Sequence, residues 1–384
     1  MVDKNRKTNV VQSEEERRLI EFLEKRRDPE GERLKRFLKT PDLSRTNGSP
    51  LNELIERIIA LPRFSDFDIV QVPEVVPVDV SFNLFNFPPD HPARFRTDTY
   101  FIDDNNILRT HTTVMWHYWL SQVEVKSKIE KGKSIGALSY GKVYRKDEID
   151  RNHMNVFHQM DGWYLCRKKE HVITIQDLQD ILAEIAKAIF GDGVKYRFNT
   201  DQFPYTDPSL EMEVQVGERW VEVLGAGIVR EAVLENLGVN PNEYNGWAFG
   251  FGLERLAIIS MDLPDIRLLW SQDERVKKQL KLGSKFKEVS KFPSITRDIS
   301  FVVDKSFVPN NYFDLIRDMG GDLVEEVALL DKYENAEKFG LDQISYTYRI
   351  IYRSMSRTLK SEEVDAIQDR IYQETAKQFN AELR

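Results

Sequence analysis

The chain has 384 residues, 41% of them hydrophobic and 11% aromatic, with a formal net charge of −8. That is enough apolar material for two or three packed domains, and the acidic total excludes binding to nucleic acid through bulk charge, so any such contact needs local basic patches. A single cysteine, Cys166, excludes an intrachain disulfide and a cysteine metal cluster, and no apolar run approaches the roughly 20 residues of a membrane span.

The amino terminus, MVDKNRKTNVVQSEEERRLIEFLEKRR, has no apolar signal core. A mitochondrial presequence is basic and poor in acids, yet Glu14-Glu15-Glu16 arrives early. The start therefore reads as mature or untargeted, and a cytoplasmic location is expected. The alternative is a mitochondrial matrix protein whose presequence is absent or removed. Leu19, Phe22 and Leu23, then Leu34, Phe37 and Leu38, follow an i, i+3, i+4 pattern. This spacing predicts two short amphipathic helices broken near Asp28-Pro29-Glu30-Gly31. They form an expected N-terminal helical extension over 1–48.

Ser49-Pro50 opens the next helix, with serine as N-cap and proline at the first helical position. Its apolar face is Leu51, Leu54, Ile55, Ile58 and Ile59. Residues 68–80 read as an extended edge interrupted by Pro73 and Pro77, followed by Phe82, Phe85 and Phe87. Asp98–Ile102 and Ile107–Thr110 read as a strand pair around Asp103-Asp104-Asn105-Asn106, and Glu124–Ile129 as a further strand. Val143-Tyr144 precedes Arg145, a polar loop follows, and Val156-Phe157-His158-Gln159 reads as the returning strand. Gln176–Ile189 is a predicted helix, and Glu211–Val216 and Trp220–Leu224 alternate as antiparallel strands. Gly246–Arg255, GWAFGFGLER, is an apolar strand-to-helix passage in which Gly250 and Gly252 let backbones approach closely. Helices flanking a mainly antiparallel sheet give an α+β body over 49–276.

A basic, polar linker is expected over 277–290, and a separate small domain over 291–384. There the order is strand, helix, two strands, then a long helix opened by Ser361, with Glu382–Arg384 as a last strand. This is a split βαβ of the ferredoxin type.

Two arginines stand in settings that hold them rigid. Arginine keeps its charge and binds phosphate in a fork geometry, so Arg145 and Arg255 on one sheet can hold two phosphates of one nucleotide. The stretches GKVYRKDEIDRNHMNVFHQMDG and GWAFGFGLER resemble motifs 2 and 3 of class II aminoacyl-tRNA synthetases. FHQMDG, FPYTDPS and GWAFGFGLER resemble the phenylalanyl-tRNA synthetases in particular, over nearly the whole chain from about Ser49 to Arg384. Asp90-His91-Pro92-Ala93-Arg94 is similar to the segment equivalent to motif 1 and reads as a structural turn. SKFPSITRDISFVVD and YRIIYRSMSRTLKSEEV resemble the ferredoxin-fold anticodon-binding domain. Having that domain on the same chain matches the single-chain, mitochondrial-type form, whose members are monomers.

The resemblance implies a ligase that joins phenylalanine to ATP as phenylalanyl-adenylate and transfers it to the terminal adenosine of tRNA(Phe), with ATP and Mg²⁺ required. The alternative is a catalytically silent relative that binds tRNA or regulates. Loss of Arg145 or Arg255 would have favoured it, and both are present. Arg145 is then the bridge between the amino-acid carboxylate and the α-phosphate, and Arg255 the γ-phosphate ligand. Phe157 stacks on adenine, Asp147 and His153 lie in the loop that touches adenine or the tRNA end, and Glu222 helps hold ATP and the metal. Arg109-Thr110-His111-Thr112-Thr113 resembles the RTHTS block, so His111 and Thr113 hold the amino-acid backbone. Gln159 and Asp161 bind the ammonium group, with Asp161 one methylene shorter than the usual glutamate, either directly or through a water. Phe203 and Tyr205 sandwich the ring, with tyrosine replacing the usual phenylalanine. Ala248 is the pocket floor, and Gly225 and Gly227 let the substrate approach the sheet. The N-terminal extension either packs on the body or reaches tRNA.

Overall fold

The computed structural model describes residues 8–288 and 292–384. Residues 1–7 of the extension and the expected boundary at 290/291 lie outside the described residues. The chain packs as two compact units. One comprises the chain up to Arg145 with Val156–Leu263 and Leu280–Lys285; the other comprises Lys146–Asn155, Pro264–Gln279 and the chain from Phe286 onward.

The first unit is built on an eight-stranded sheet. Its strands are β1 (Thr8–Val10), β2 (Asp68–Gln71), β5 (Ile135–Tyr144), β6 (Val156–Arg167), β7 (Tyr196–Phe203), β8 (Thr206–Val216), β9 (Arg219–Val229) and β10 (Tyr244–Gly252), in the order β1-β2-β5-β6-β10-β9-β8-β7. The pairs β1–β2 and β2–β5 are parallel and the rest antiparallel. A small two-stranded sheet joins β3 (Val75–Pro77) to β4 (Asn106–Leu108). All ten residues of β5 are buried, so this strand is covered on both faces and its sequence does not alternate.

Helix Pro50–Ile59 is capped by the Ser49 hydroxyl, which accepts from the Leu51 amide, and it buries Leu51, Leu54, Ile55 and Ile58. Helix Ile175–Phe190 starts with a Thr174/Asp177 capping box and buries Leu178, Ile181, Leu182, Ile185 and Ile189. Both pack with helix Leu253–Met261 on the sheet. Helices Glu14–Lys25 and Pro29–Lys39 are broken at Asp28, whose carboxylate caps the second. They are tied to the same unit: Glu16 accepts the Glu74 and Val75 amides at 2.6 and 3.1 Å.

Two sequence expectations differ from the structure. Residues 124–129 lie in helix Val123–Glu130; the short run fits both periods, and Val125 and Ile129, four apart, form one helical side. The segment Asp68–Gln71 is not an edge, because strand β1 from the extension pairs outside it. The strand pair expected over 98–110 forms in short form: Phe101 and Ile107 make an antiparallel bridge, the Leu108 amide donates to the Tyr100 carbonyl at 2.9 Å, and the Ile102 amide donates to the Asn106 carbonyl at 2.8 Å. Asp103 accepts the Asn105 and Asn106 amides as expected of a turn, and β4 also pairs with β3 on its other side.

In the second unit, β11 (Ile295–Asp304), β12 (Val324–Tyr333), β13 (Gln343–Tyr352) and β14 (Glu382–Leu383) form an antiparallel sheet in the order β12-β13-β11-β14. Helices Pro309–Gly320 and Ser361–Phe379 bury Tyr312, Leu315, Ile316, Val364, Ile367 and Ile371 in its core. This is the split βαβ expected from the sequence.

Candidate active site

The antiparallel pairing β5–β6–β10–β9 sets a row of small residues beside the polar side chains of β6. Gln159 lies between Gly141 and Gly252, and Asp161 between Ser139 and Gly250. Gly250 in turn pairs with Gly225, and Ala248 with Gly227. Alternation along β6 puts Phe157, Gln159 and Asp161 on one face. The sheet therefore presents aromatic, amide and carboxylate in a line, flanked by positions without bulk.

Arg145 follows the last residue of β5, and its Nε donates to the Thr110 carbonyl at 2.9 Å. Its guanidinium carbon sits 5.2 Å from the centre of the Phe157 ring, a cation–π distance. The fork is thus held from behind by backbone and from one side by an aromatic. Arg255 lies on helix Leu253–Met261, directly after the glycine-rich end of β10, and is half exposed. Glu222 on β9 meets it, with carboxylate at 3.6 Å and carbonyl at 3.4 Å.

Asp161 is buried, and its two oxygens accept the hydroxyls of Thr112 and, at 2.8 Å, Thr113. Among the described residues no cation is paired with it. Burial pushes this carboxyl up to about 6, against the pull of the two hydroxyls and, more weakly, of Arg145 and Arg109. His111 is buried too. Its Nε2 lies 2.9 Å from the Ser81 carbonyl, which can only accept, so the ring proton is on Nε2. Burial, helped by the charge of Arg145, lowers its pKa to about 3, so the ring is neutral and Nδ1 carries a lone pair. That Nδ1 and the Gln159 Oε1 are both buried and without a partner. Each orphaned acceptor calls for a donor.

Aromatic rings enclose His111. Phe87 stacks on it at 5.8 Å and Phe85 meets it edge-on at 5.8 Å. Tyr205 stacks on Phe203 at 5.9 Å and meets Phe85 and Trp116 edge-on at 6.3 and 6.2 Å. Burial, reinforced by Asp161, pushes the Tyr205 phenol far above its ordinary value. Ala248 is buried in the cluster that holds Trp116 and Trp163. The glycines of β9 have a different immediate use from the one expected. A Cβ on Gly225 would lie 2.6 Å from the Phe203 ring, and one on Gly227 would lie 2.5 Å from Thr206. Their missing side chains seat those two neighbours against the sheet.

The first unit thus brings together Arg145, Phe157, Gln159, Asp161, His111, Thr113, Phe203, Tyr205, Ala248, Gly225, Gly227, Glu222 and Arg255. Asp147 and His153 belong to the second unit. There the Asp147 carbonyl accepts from Arg317 at 3.1 Å, and His153 Nδ1 pairs with Asp150 at 2.8 Å. Sequence reasoning missed Thr112, which shares Asp161, and the wall of Phe85 and Phe87. It also missed the support of Arg109, whose Nε and Nη1 donate to the Lys142 and Val72 carbonyls at 2.8 and 2.9 Å. Gly141, at φ 151°, leaves the space that the Arg109 fork occupies. Arg109 directly before the Thr-His-Thr run was the one available signal.

Comparison with known proteins gives the family. Residues 36–280 match the family model described as tRNA synthetases class II core domain (F), and residues 290–384 match the ferredoxin-fold anticodon binding domain. The chain is 40% identical over 321 residues to the chloroplastic/mitochondrial phenylalanine–tRNA ligase of Arabidopsis thaliana, covering 81% of this chain and 71% of the relative. It is 36% identical over 355 residues to the mitochondrial phenylalanine–tRNA ligase of Mus musculus, covering 83% and 75%. With the probable mitochondrial phenylalanine–tRNA ligase of Drosophila melanogaster it shares 34% over 378 residues, covering 84% and 80%.

Proposed function

The chain belongs to the phenylalanine–tRNA ligases of the class II synthetases, and on that premise we propose how its residues divide the reaction. The chain activates phenylalanine with ATP and transfers it to tRNA(Phe). The observation that carries the assignment of substrate groups is three buried acceptors without a cation: the Asp161 carboxylate, His111 Nδ1 and Gln159 Oε1. A donor-only group, the amino-acid ammonium, suits such acceptors. The phenyl ring then lies by the Phe203–Tyr205 pair, with Ala248 at its far end, where apolar walls recognise shape.

In activation, a carboxylate oxygen of phenylalanine attacks the α-phosphorus of ATP and the bond to pyrophosphate breaks. Two anions meet, so fixed positive charge lowers the barrier. Arg145, braced by the Thr110 carbonyl and Phe157, spans the carboxylate and the α-phosphate. Phe157 stacks on adenine and Arg255 takes the γ-phosphate. In transfer, a ribose hydroxyl of the terminal adenosine attacks the carbonyl carbon and AMP leaves. No enzyme nucleophile is needed. The ferredoxin-fold domain contacts the anticodon stem-loop.

Class II activation uses a divalent metal with ATP. Among the described residues no group of three or more acidic, histidine or cysteine side chains is gathered to hold one. Glu222, beside Arg255, fits a magnesium ion held mainly by the phosphates, as such ions usually are. With core and anticodon module on one chain, the enzyme works as a monomer. The relatives' names favour the mitochondrial alternative over the cytoplasmic location expected from the amino terminus.

The test is phenylalanine-dependent ATP–pyrophosphate exchange, followed by charging of tRNA(Phe). Exchange with phenylalanine and no other amino acid at comparable kcat/KM is expected. A folded protein that binds tRNA and shows no exchange would establish the silent relative instead.

A further inference from the structure

His158 stands between Phe157 and Gln159 on β6 but points to the opposite face of the sheet. It is wholly buried. The Leu43 amide donates to its Nε2 at 3.0 Å. A backbone N–H can only donate, so Nε2 holds a lone pair and the ring proton is on Nδ1. Nδ1 lies 2.6 Å from Oε1 of Glu254, and both Glu254 oxygens accept the His158 amide at 2.9 Å. Glu254 is itself buried. It precedes Arg255 on helix Leu253–Met261, and Arg255 is turned outward.

Glu254 therefore grips β6 at one residue by three contacts, two to the backbone and one to the ring. The ring passes the grip on to the segment that links the N-terminal extension to the body. Stability alone is a weak reason for such a pair, because well-packed apolar residues of similar volume often serve a buried site as well or better. Apolar packing does not supply a fixed register between helix and strand. Directional bonds do.

We propose that His158 and Glu254 are positioning residues for adenylate formation, a buried clamp that holds the helix bearing Arg255 in register with the strand bearing Phe157. The proposal rests on the ligase reading above, in which Phe157 takes adenine and Arg255 the γ-phosphate of one ATP. A nucleotide bound at both points needs their separation fixed, and misplacement by about 1 Å costs on the order of 10²-fold in rate. Of the groups assigned to phenylalanine, His111, Thr113, Phe203 and Tyr205 lie outside β6 and the helix, and Gln159 and Asp161 on β6 are held by their pairing with β5 and β10.

The experiment compares the full-length parent with Glu254→Ala and Glu254→Gln. Phenylalanine-dependent pyrophosphate exchange is measured per titrated active site, and ATP affinity is measured in parallel by calorimetry. Glu254→Ala is expected to lose roughly 10- to 100-fold in kcat/KM for ATP, with KM for phenylalanine within about threefold of the parent. Glu254→Gln keeps the acceptor for Nδ1–H and replaces one of the two oxygens that accept the His158 amide, so it should fall between. An alanine variant with the parent's ATP parameters per active site overturns the proposal, as does one whose loss is equal for ATP and phenylalanine. If the alanine variant does not fold, the glutamine variant decides: ATP parameters matching the parent overturn the clamp. A parent without phenylalanine-dependent exchange sinks the ligase reading, and the ATP affinities then judge the clamp separately.

Discussion

Asp161→Asn separates the stability of this fold from its function. In the free chain the Asp161 carboxyl is buried among hydroxyls and pushed from 3.8 to about 6. A folded pKa above the unfolded one means that the native state binds the proton more tightly. The benefit is full below pH 3.8 and is lost as pH rises through 6. About two pKa units correspond to roughly 3 kcal/mol, withheld from the fold at pH 8 by the ionised group. The amide is neutral and can still accept one threonine hydroxyl and donate to the other. Asp161→Asn should therefore be more stable than the parent at pH 8, by up to about 3 kcal/mol, with the gap narrowing towards pH 4. Urea titrations at pH 8 and pH 5, followed by tryptophan fluorescence, measure this in the right unit, since Trp116, Trp119, Trp163, Trp220 and Trp247 all lie in the first unit. The same variant should raise KM for phenylalanine by roughly 10- to 100-fold, the loss of a hydrogen bond to a charge. In the parent, KM for phenylalanine should rise as pH falls below about 6, and in the variant that dependence should vanish. A gap that does not change with pH, or a variant less stable than the parent at pH 8, would refute the buried, unpaired carboxylate.

Four other outcomes are expected. Arg255→Ala should keep the fold and lose about 10²–10³-fold in pyrophosphate exchange, as a charge partner of the transition state; near-parent exchange would remove it from the γ-phosphate. Gly225→Ala places a Cβ where the Phe203 ring lies, 2.6 Å away, so KM for phenylalanine should rise at least about tenfold with KM for ATP unchanged. Ala248→Gly should admit p-chlorophenylalanine in exchange assays; no gain would move the para position away from Ala248. Tyr205→Phe should leave phenylalanine activation within about twofold and alter the tyrosine-to-phenylalanine ratio of kcat/KM, since an apolar slot rejects an added hydroxyl by only about 10².

Much of the fold was readable where one local rule decided the outcome. Ser49-Pro50 caps a helix because a hydroxyl meets an amide two residues on, and the proline needs no donor there. Arg145 stands at the end of a strand because β-prone Val143 and Tyr144 precede it and a polar loop follows. The reading failed where partners chose between two local possibilities. Glu124–Ile129 suits a strand by alternation and a helix by its Val125–Ile129 spacing. Asp68–Gln71 resembles an edge until a strand from the first ten residues pairs beside it.

The site divides in the same way. Residues proposed to face the substrate sit in short contiguous runs, so Arg145, Phe157, Gln159 and Asp161 are assigned from a single hairpin. Residues that hold those runs in place do not. His158 meets Glu254 across 96 positions and Leu43 across 115, and no spacing rule spans such distances. Nor does sequence reveal the charge state of a carboxyl. Asp161 alternates in β6 like any inward polar residue, and only its burial beside Thr112 and Thr113 holds its pKa at about 6. That value lets one group serve both states of the enzyme. Near neutral pH the carboxyl is mostly ionised and ready for an ammonium group, yet it is costly to leave unpaired. If Asp161 takes the ammonium group as proposed, binding phenylalanine relieves the cost, and the free energy withheld from the empty fold reappears as affinity for the amino acid.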